Sequence, residues 1–153
     1  LGSFKKSAYL DPESRRVSGQ TWQLLNTLGE NLVSEGKSAE AKRLMGKVLE
    51  NMPDRNYTIR DSVDKYRAAA ILYKLGETAN ANELIRKNTT FLQSELMFLA
   101  GLNKEQQERR MDDIQLCVSL LNLMKEEAAR NRQHEIGAKI DAIFASAQKA
   151  WGA

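Results

Sequence analysis

Apolar side chains recur at intervals of three and four residues along most of the chain, which is the period of a helix with one buried face. The clearest example is the stretch from Ser38 to Met52, whose apolar positions are Ala41, Leu44, Met45, Val48, Leu49 and Met52. No stretch alternates apolar and polar residues as a half-buried strand does. The pattern therefore predicts an all-α fold.

Residues that start and stop helices divide this pattern into six predicted helices. Asp11 is placed to cap the first, and Pro12 suits its first helical position. Gly36 and Gly76 are placed to end helices in the left-handed conformation, and Pro53 ends the second helix. The predicted helices run from 11 to 35, 38 to 52, 61 to 75, 78 to 98, 103 to 128 and 133 to 150, with Ser38 and Asn103 as further N-caps.

The stretch from Trp22 to Arg55 carries the residue types of a tetratricopeptide repeat at nine positions. They are Leu25, Leu28, Gly29, Leu32, Gly36, Ala41, Met45, Val48 and Pro53. The order resembles that family, in which 34-residue helix pairs stack because one pair cannot bury its apolar face alone. Aligning Gly76 with Gly36 gives a second repeat at a spacing of 40 residues, and this repeat matches at four further positions: Ala69, Leu72, Ala81 and Ile85.

The resemblance implies three antiparallel helix hairpins stacked as a short right-handed superhelix. We expect an N-terminal arm at residues 1–10 and one domain at 11–153. That domain would hold repeats at about 22–55 and 62–95 and an atypical capping hairpin at about 103–151, since end units of such arrays are often atypical. The helices of that last hairpin lack the glycine and small-residue signature.

First helices of such repeats line a concave face, where a protein or peptide partner would bind. The residues that we expect there are Gln23, Asn26, Glu30, Tyr66, Tyr73 and Lys74. The two tyrosines beside Lys74 and Glu30 would form a peptide groove, since tyrosine supplies contact area at low entropy cost. Alternatively, Tyr66 and Tyr73 pack between helices, and the sequence leaves both possibilities open.

The charge balance argues against nucleic acid as a partner, because a net charge of +3 from 23 basic and 20 acidic residues is mild. The longest apolar run, Leu96 to Leu102, is far shorter than the ~20 residues that cross a bilayer. We therefore expect no membrane insertion by this part of the chain.

No combination of residues indicates catalysis, a cofactor or a metal. His134 is expected to be a solvated turn residue, and Cys117 falls on an apolar stripe where cysteine is usually inert. The acidic pairs Asp112-Asp113 and Glu126-Glu127 join adjacent helical residues, which point about 100° apart and cannot converge on one metal. Asn56-Tyr57-Thr58 and Asn88-Thr89-Thr90 match the N-glycosylation pattern, which matters only in a secreted eukaryotic protein.

The first 100 residues also resemble a more particular family. The residues that carry this resemblance are Tyr9, Asp11, Ser14-Arg15-Arg16, Leu28, Leu32, Glu35-Gly36-Lys37, Ala41, Leu49-Glu50, Met52-Pro53, Asn56-Tyr57, Tyr66-Arg67-Ala68-Ala69, Leu72-Tyr73, Leu75-Gly76 and Ala81. The order is similar to the C-terminal soluble region of a bacterial family of multi-spanning membrane proteins of unknown function. Those proteins are themselves similar to O-mannosyl-type, lipid-sugar-dependent glycosyltransferases.

This second resemblance implies that the chain belongs to a longer, membrane-anchored protein and lies on the periplasmic side of a bacterial inner membrane. Catalysis would then belong to an amino-terminal membrane part. The leading hypothesis is a non-catalytic helical-repeat module that binds a protein or peptide. The alternative, compatible with it, is an extracytoplasmic accessory domain that positions the acceptor of a membrane glycosyltransferase. A stand-alone enzyme or nucleic-acid binder is disfavoured.

Overall fold

The computed structural model describes residues 11–152, and every regular element in that range is an α-helix. The helices are α1 (Pro12–Ser34), α2 (Ser38–Asn51), α3 (Asp61–Lys74), α4 (Thr78–Ala100), α5 (Lys104–Arg109), α6 (Met111–Arg130) and α7 (His134–Gly152). No strand occurs among these residues, which confirms the all-α class. The predicted N-terminal arm lies outside the described residues.

Five of the six predicted helices agree with the structure to within two residues at either end. The Asp11 carboxylate accepts a hydrogen bond from Ser14 N at 3.0 Å, as expected of an N-cap. Asn103 and Gln106 form the expected capping box, with bonds of 3.0 and 3.2 Å.

The prediction that Ser38 caps α2 was wrong. Lys37 holds the N-cap position, and no side chain bonds the helix start there. The Lys37 carbonyl already accepts the first helical bond, from Ala41 N at 3.0 Å. The preceding turn thus brings the chain into helix one residue early, so Ser38 is itself helical.

The predicted fifth helix is in fact two, α5 and α6, which meet at Arg110. The Gln107 side chain donates to the carbonyls of Leu99, Ala100 and Leu102 at 3.3, 3.0 and 2.9 Å, which ties α5 to the end of α4. Arg110 leaves helical geometry, with φ −108° and ψ 19°. Because this anchor is a single glutamine side chain, it does not alter the spacing of the apolar residues. That spacing therefore predicted one continuous helix.

The chain reverses direction after α1 through a left-handed residue. Gly36 has φ 76°, its N–H donates to Val33 O at 3.1 Å, and Lys37 N donates to Leu32 O at 2.9 Å. These two bonds make a Schellman motif, which satisfies carbonyls at the helix end. Gly76 repeats the motif after α3, with φ 77° and equivalent bonds of 3.0 and 2.9 Å. Both turn glycines therefore play the predicted part.

A third turn of the same kind joins α6 to α7, where the sequence predicted a break between helices but no left-handed residue. Arg132 takes the left-handed position with φ 58°. Its N–H donates to Ala129 O at 3.1 Å, and Gln133 N donates to Ala128 O at 2.7 Å. Gly137 follows five residues later, where the first two turns have Ala41 and Ala81. The left-handed residue of this turn was missed because arginine rarely adopts positive φ.

The contacts of the chain divide into two compact units, with α3 and α4 contributing to both. The first unit comprises residues 11–55 and Arg67–Leu84. In it α1 packs against α2 at Gly29, where an added Cβ would lie 3.3 Å from both Met45 Sδ and Ile71 Cδ1. Only glycine allows so close an approach without displacing a neighbour. The prediction of one domain over residues 11–153 stays a prediction.

The second unit comprises Asn56–Tyr66 and residues 85–152, and in it α6 packs against α7. A hydrogen-bond network orders the loop before α3. Asp61 Oδ2 accepts from Tyr57 N and Thr58 N at 2.7 and 2.8 Å, and Asn56 Nδ2 donates to Asn88 Oδ1 at 2.8 Å. Asn88 Nδ2 in turn donates to Ser62 O at 3.0 Å. These hydrogen bonds therefore order the loop together with the buried apolar side chain of Ile59.

Replacing the first turn glycine tests the role of the left-handed conformation. We expect Gly36→Val to lower the free energy of unfolding by more than ~1 kcal/mol, since a β-branched residue resists positive φ. The control is Gly46→Ala in α2, where a Cβ meets nothing within 4 Å and helix propensity should add about 0.5–1 kcal/mol. Urea denaturation of both variants measures the difference, and an unchanged midpoint for Gly36→Val would contradict the turn assignment.

The third turn makes the opposite prediction. Arg132→Gly should stabilise the protein by about 0.5 kcal/mol, because relief of left-handed strain exceeds the extra backbone entropy of glycine in the unfolded chain. The reciprocal variant Gly76→Arg should destabilise it, since it places arginine at the same position of the second turn. Thermal melting of both variants gives the sign, and a loss of stability in Arg132→Gly would show that arginine is not strained there.

Candidate functional site

Polar side chains of α1 and α3 meet on the outside of the first unit. Arg67 Nε and Nη2 donate to the two carboxylate oxygens of Glu30 at 2.9 and 2.8 Å, and Nη2 also donates to Thr27 Oγ1 at 3.2 Å. Gln23 precedes Thr27 by one helical turn on α1 and is exposed, as is Lys74 on α3. We call these five residues, Gln23, Thr27, Glu30, Arg67 and Lys74, the α1–α3 surface.

The central ion pair of this surface has two-pronged geometry. Hydrogen bonds from Arg67 hold the pKa of Glu30 below its usual range, and the charges of Arg67 and Lys74 lower it further. Partial burial of Glu30 opposes this lowering. Glu30 therefore stays ionised at neutral pH and holds Arg67 in a fixed orientation. The sequence pattern did not indicate Arg67 as a binding residue, because its partner Glu30 lies 37 positions away.

The structure places three of the six predicted binding residues, Gln23, Glu30 and Lys74, on the α1–α3 surface. Asn26 and Tyr73 are buried in the first unit. The Tyr73 hydroxyl donates to Asn82 Oδ1 at 2.5 Å, which joins α3 to α4. For Tyr73 the structure thus shows packing between helices, the second of the two arrangements that the sequence left open.

Tyr66, the remaining predicted residue, belongs to the second unit and lies near the end of α6. Burial raises the pKa of Tyr66, the charge of Glu127 raises it further, and Arg130 lowers it. The Glu127 carboxylate is itself buried and accepts from Arg130 Nη2 at 2.6 Å and from Asn131 Nδ2 at 3.0 Å. Neither tyrosine of the predicted groove therefore contributes to the α1–α3 surface, which is polar.

A concave site in the second unit has a volume of about 300 Å³. It is lined by Phe98, Leu102, Gln106, Arg109 and Arg110. Both arginines form ion pairs with nearby residues: Arg109 with Glu105 of α5, and Arg110 with Asp113 of α6, each at 2.5 Å. The site therefore offers an exposed aromatic ring but no uncompensated charge for recognising an ion.

The described residues contain no group of three or more metal-ligating side chains. Within the same residues no helix is long and apolar enough to cross a bilayer. Cys117 is buried, its thiol donates to Leu92 O at 3.4 Å, and burial raises its pKa to about 12. Such a thiol stays protonated and is a poor nucleophile. His134 is exposed at the start of α7, as expected.

The two asparagines of the glycosylation pattern are used inside the second unit. Asn88 is only 2% exposed, and Asn56 donates its side-chain amide to Asn88 and to Ser62 Oγ. A glycosyl acceptor must present that amide to solvent. The folded chain therefore does not present either asparagine amide to a glycosylating enzyme. Both asparagines instead have a structural role, because they form hydrogen bonds within the second unit.

The Glu30–Arg67 pair predicts a pH-dependent contribution to stability. Because the folded-state pKa of Glu30 lies below its ordinary value of 4.5, the contribution is present above that value and is lost as pH falls through the folded-state pKa. Glu30→Gln should cost a few tenths to about 1 kcal/mol at pH 7 and less near pH 3, where part of the contribution has been lost. Urea denaturation at the two pH values, with exposed Glu50→Gln as control, checks this, and a pH-independent difference would contradict it.

Comparison with known proteins does not assign a family or a function to the chain. No protein-family model, no curated protein and no solved structure matches the chain.

Proposed function

We propose that this chain is a non-catalytic helical-repeat module that binds an extended protein or peptide segment across the α1–α3 surface. In this proposal the helix pairs stack as a tetratricopeptide-like right-handed superhelix. The first helices of the first two pairs, α1 and α3, present the binding residues.

One observation carries the proposal: the same Schellman turn joins the two helices of all three pairs. Residues 36, 76 and 132 take the left-handed conformation with matching hydrogen bonds, and a small residue follows each by five positions. A supersecondary unit used three times in one chain is the mark of a repeat architecture. Proteins of this kind generally act by offering an extended surface to a partner rather than by catalysis.

The α1–α3 surface supplies the chemistry that an extended segment requires. Gln23 offers both a donor and acceptors to a peptide backbone. Glu30 and Arg67 are held by each other, so their positions are set before a partner arrives, which lowers the entropy cost of binding. Lys74 adds an exposed ammonium. The partner would therefore be a segment with a carboxylate placed opposite Lys74.

The resemblance to the C-terminal region of membrane glycosyltransferase-like proteins stays a prediction from the order of residues. In that setting the same surface would hold an acceptor polypeptide, so the binding experiment below applies to both hypotheses.

A peptide-selection experiment tests the proposal. A random 12-residue library displayed on phage is selected on the immobilised chain, and enriched peptides are titrated against the wild type, Lys74→Glu and Lys47→Glu. We expect Lys74→Glu to weaken binding at least tenfold, which corresponds to about 1.4 kcal/mol. Lys47→Glu makes the same charge change on an exposed α2 residue and should alter affinity less than twofold. No enrichment over a blank surface, or equal losses in both variants, would overturn the proposal.

A further inference from the structure

Three apolar side chains on α1 face solvent. Leu24 is 69% exposed, Leu28 is 46% exposed and Val17 is 38% exposed, whereas Trp22 on the opposite side of the helix is buried. Thr21 lies between Val17 and Leu24, so these four residues follow one another at intervals of four, three and four. That spacing gives a straight seam of the kind that pairs helices. We call Val17, Thr21, Leu24 and Leu28 the α1 seam.

The middle of α1 carries no charge. Residues 17–29 contain no Asp, Glu, Lys or Arg, in a chain in which 28% of residues are charged. Charge depletion at the centre of a surface patch is typical of protein interfaces. Besides Glu30, which pairs with Arg67 on another side of α1, charged pairs flank the seam at both ends: Glu13 with Arg16 before it, and Glu35 with Lys37 after it, the latter at 2.7 Å.

We propose that the α1 seam is the interface of a weak homodimer, in which α1 of one copy packs antiparallel against α1 of a second copy. Leu24 of each copy then faces Leu28 of the other, and Thr21 faces Asn31. Because a two-fold axis relates the copies, both ends of the pair make the same contacts.

Charge complementarity selects the antiparallel arrangement. In this register Arg16 of one copy lies within one residue of Glu35 of the second copy, which is the C-cap of α1. Opposite charges therefore meet at each end of the helix pair. These contacts between the two copies would replace the ion pairs that Arg16 and Glu35 make within one chain. A parallel arrangement would instead place Glu13 against Glu13, Arg16 against Arg16 and Glu35 against Glu35, and like charges across an interface are unfavourable.

The small area of the seam sets the strength of association. One 23-residue helix is about 35 Å long, and a single helix pair buries less than the roughly 1,200 Å² of an ordinary stable complex. We therefore expect a dissociation constant on the order of 10 to 100 µM. The Leu24 and Leu28 side chains point away from Trp22, so changing them should leave the first unit folded.

Sedimentation velocity of the chain at loading concentrations from about 5 to 500 µM tests the interface. The wild type should shift from monomer to dimer over this range. Leu24→Glu should weaken association more than tenfold, because it places two carboxylates at the centre of the seam. Phe98→Glu is the matched control, an equally drastic change at a 58% exposed apolar residue of α4. It should leave the dissociation constant unchanged.

A charge-swap series tests the antiparallel register. Arg16→Glu should weaken the dimer severalfold, and adding Glu35→Arg in the same chain should restore it, since each end again joins opposite charges. Circular dichroism checks folding, and Leu28→Gln replaces Leu24→Glu if the latter unfolds. A monomer at every concentration, or equal weakening by Leu24→Glu and Phe98→Glu, would overturn the interface. Failure of the double variant to restore association would overturn the register.

Discussion

The left-handed residue after α1, α3 and α6 is the constraint on which the rest of the structure depends. If a helix continued past residue 36, 76 or 132, the chain would not reverse there. The following segment could then not pack against the apolar face of that helix. The Schellman turn stops each helix and satisfies carbonyls that would otherwise lack a partner. The first two turns use glycine, for which this conformation carries no steric penalty, whereas Arg132 adopts it against its own preference. Formation of three pairs therefore outweighs local strain at one of them.

After the chain has reversed, different interactions stabilise the first unit and the second unit. In the first unit α1 comes so close that a Cβ at Gly29 would lie 3.3 Å from side-chain atoms of Met45 and Ile71, which would have to shift slightly. In the second unit the loop before α3 is held by a network centred on Asn88, whose amide is fully used. Asn56 contributes its amide nitrogen to this network, but its buried Oδ1 has no hydrogen-bond partner among the described residues, so the network is only partly satisfied.

The surface chemistry of the chain is consistent with binding on more than one side of α1. One side carries the polar α1–α3 surface, organised by the Glu30–Arg67 ion pair. Another side carries the uncharged α1 seam around Leu24. Positions on a helix differ in direction by about 100° per residue, so Gln23 and Leu24 can serve different partners although they are neighbours in sequence. The first helix is thus the element on which both proposals converge.

The sequence by itself determined the all-α class, the positions of most helix ends and the left-handed residue of two of the three turns. These follow from local physics: apolar period, N-caps at Asp11 and Asn103, and glycines at 36 and 76. The tertiary structure alone decided which helical side chains are available to a partner. Asn26 and Tyr73, expected on a binding face, are buried, whereas Leu28, expected among the packed repeat residues, is nearly half exposed. Periodicity places a residue on a face of its helix, but which face is covered depends on neighbours distant in sequence, as Arg67 is from Glu30.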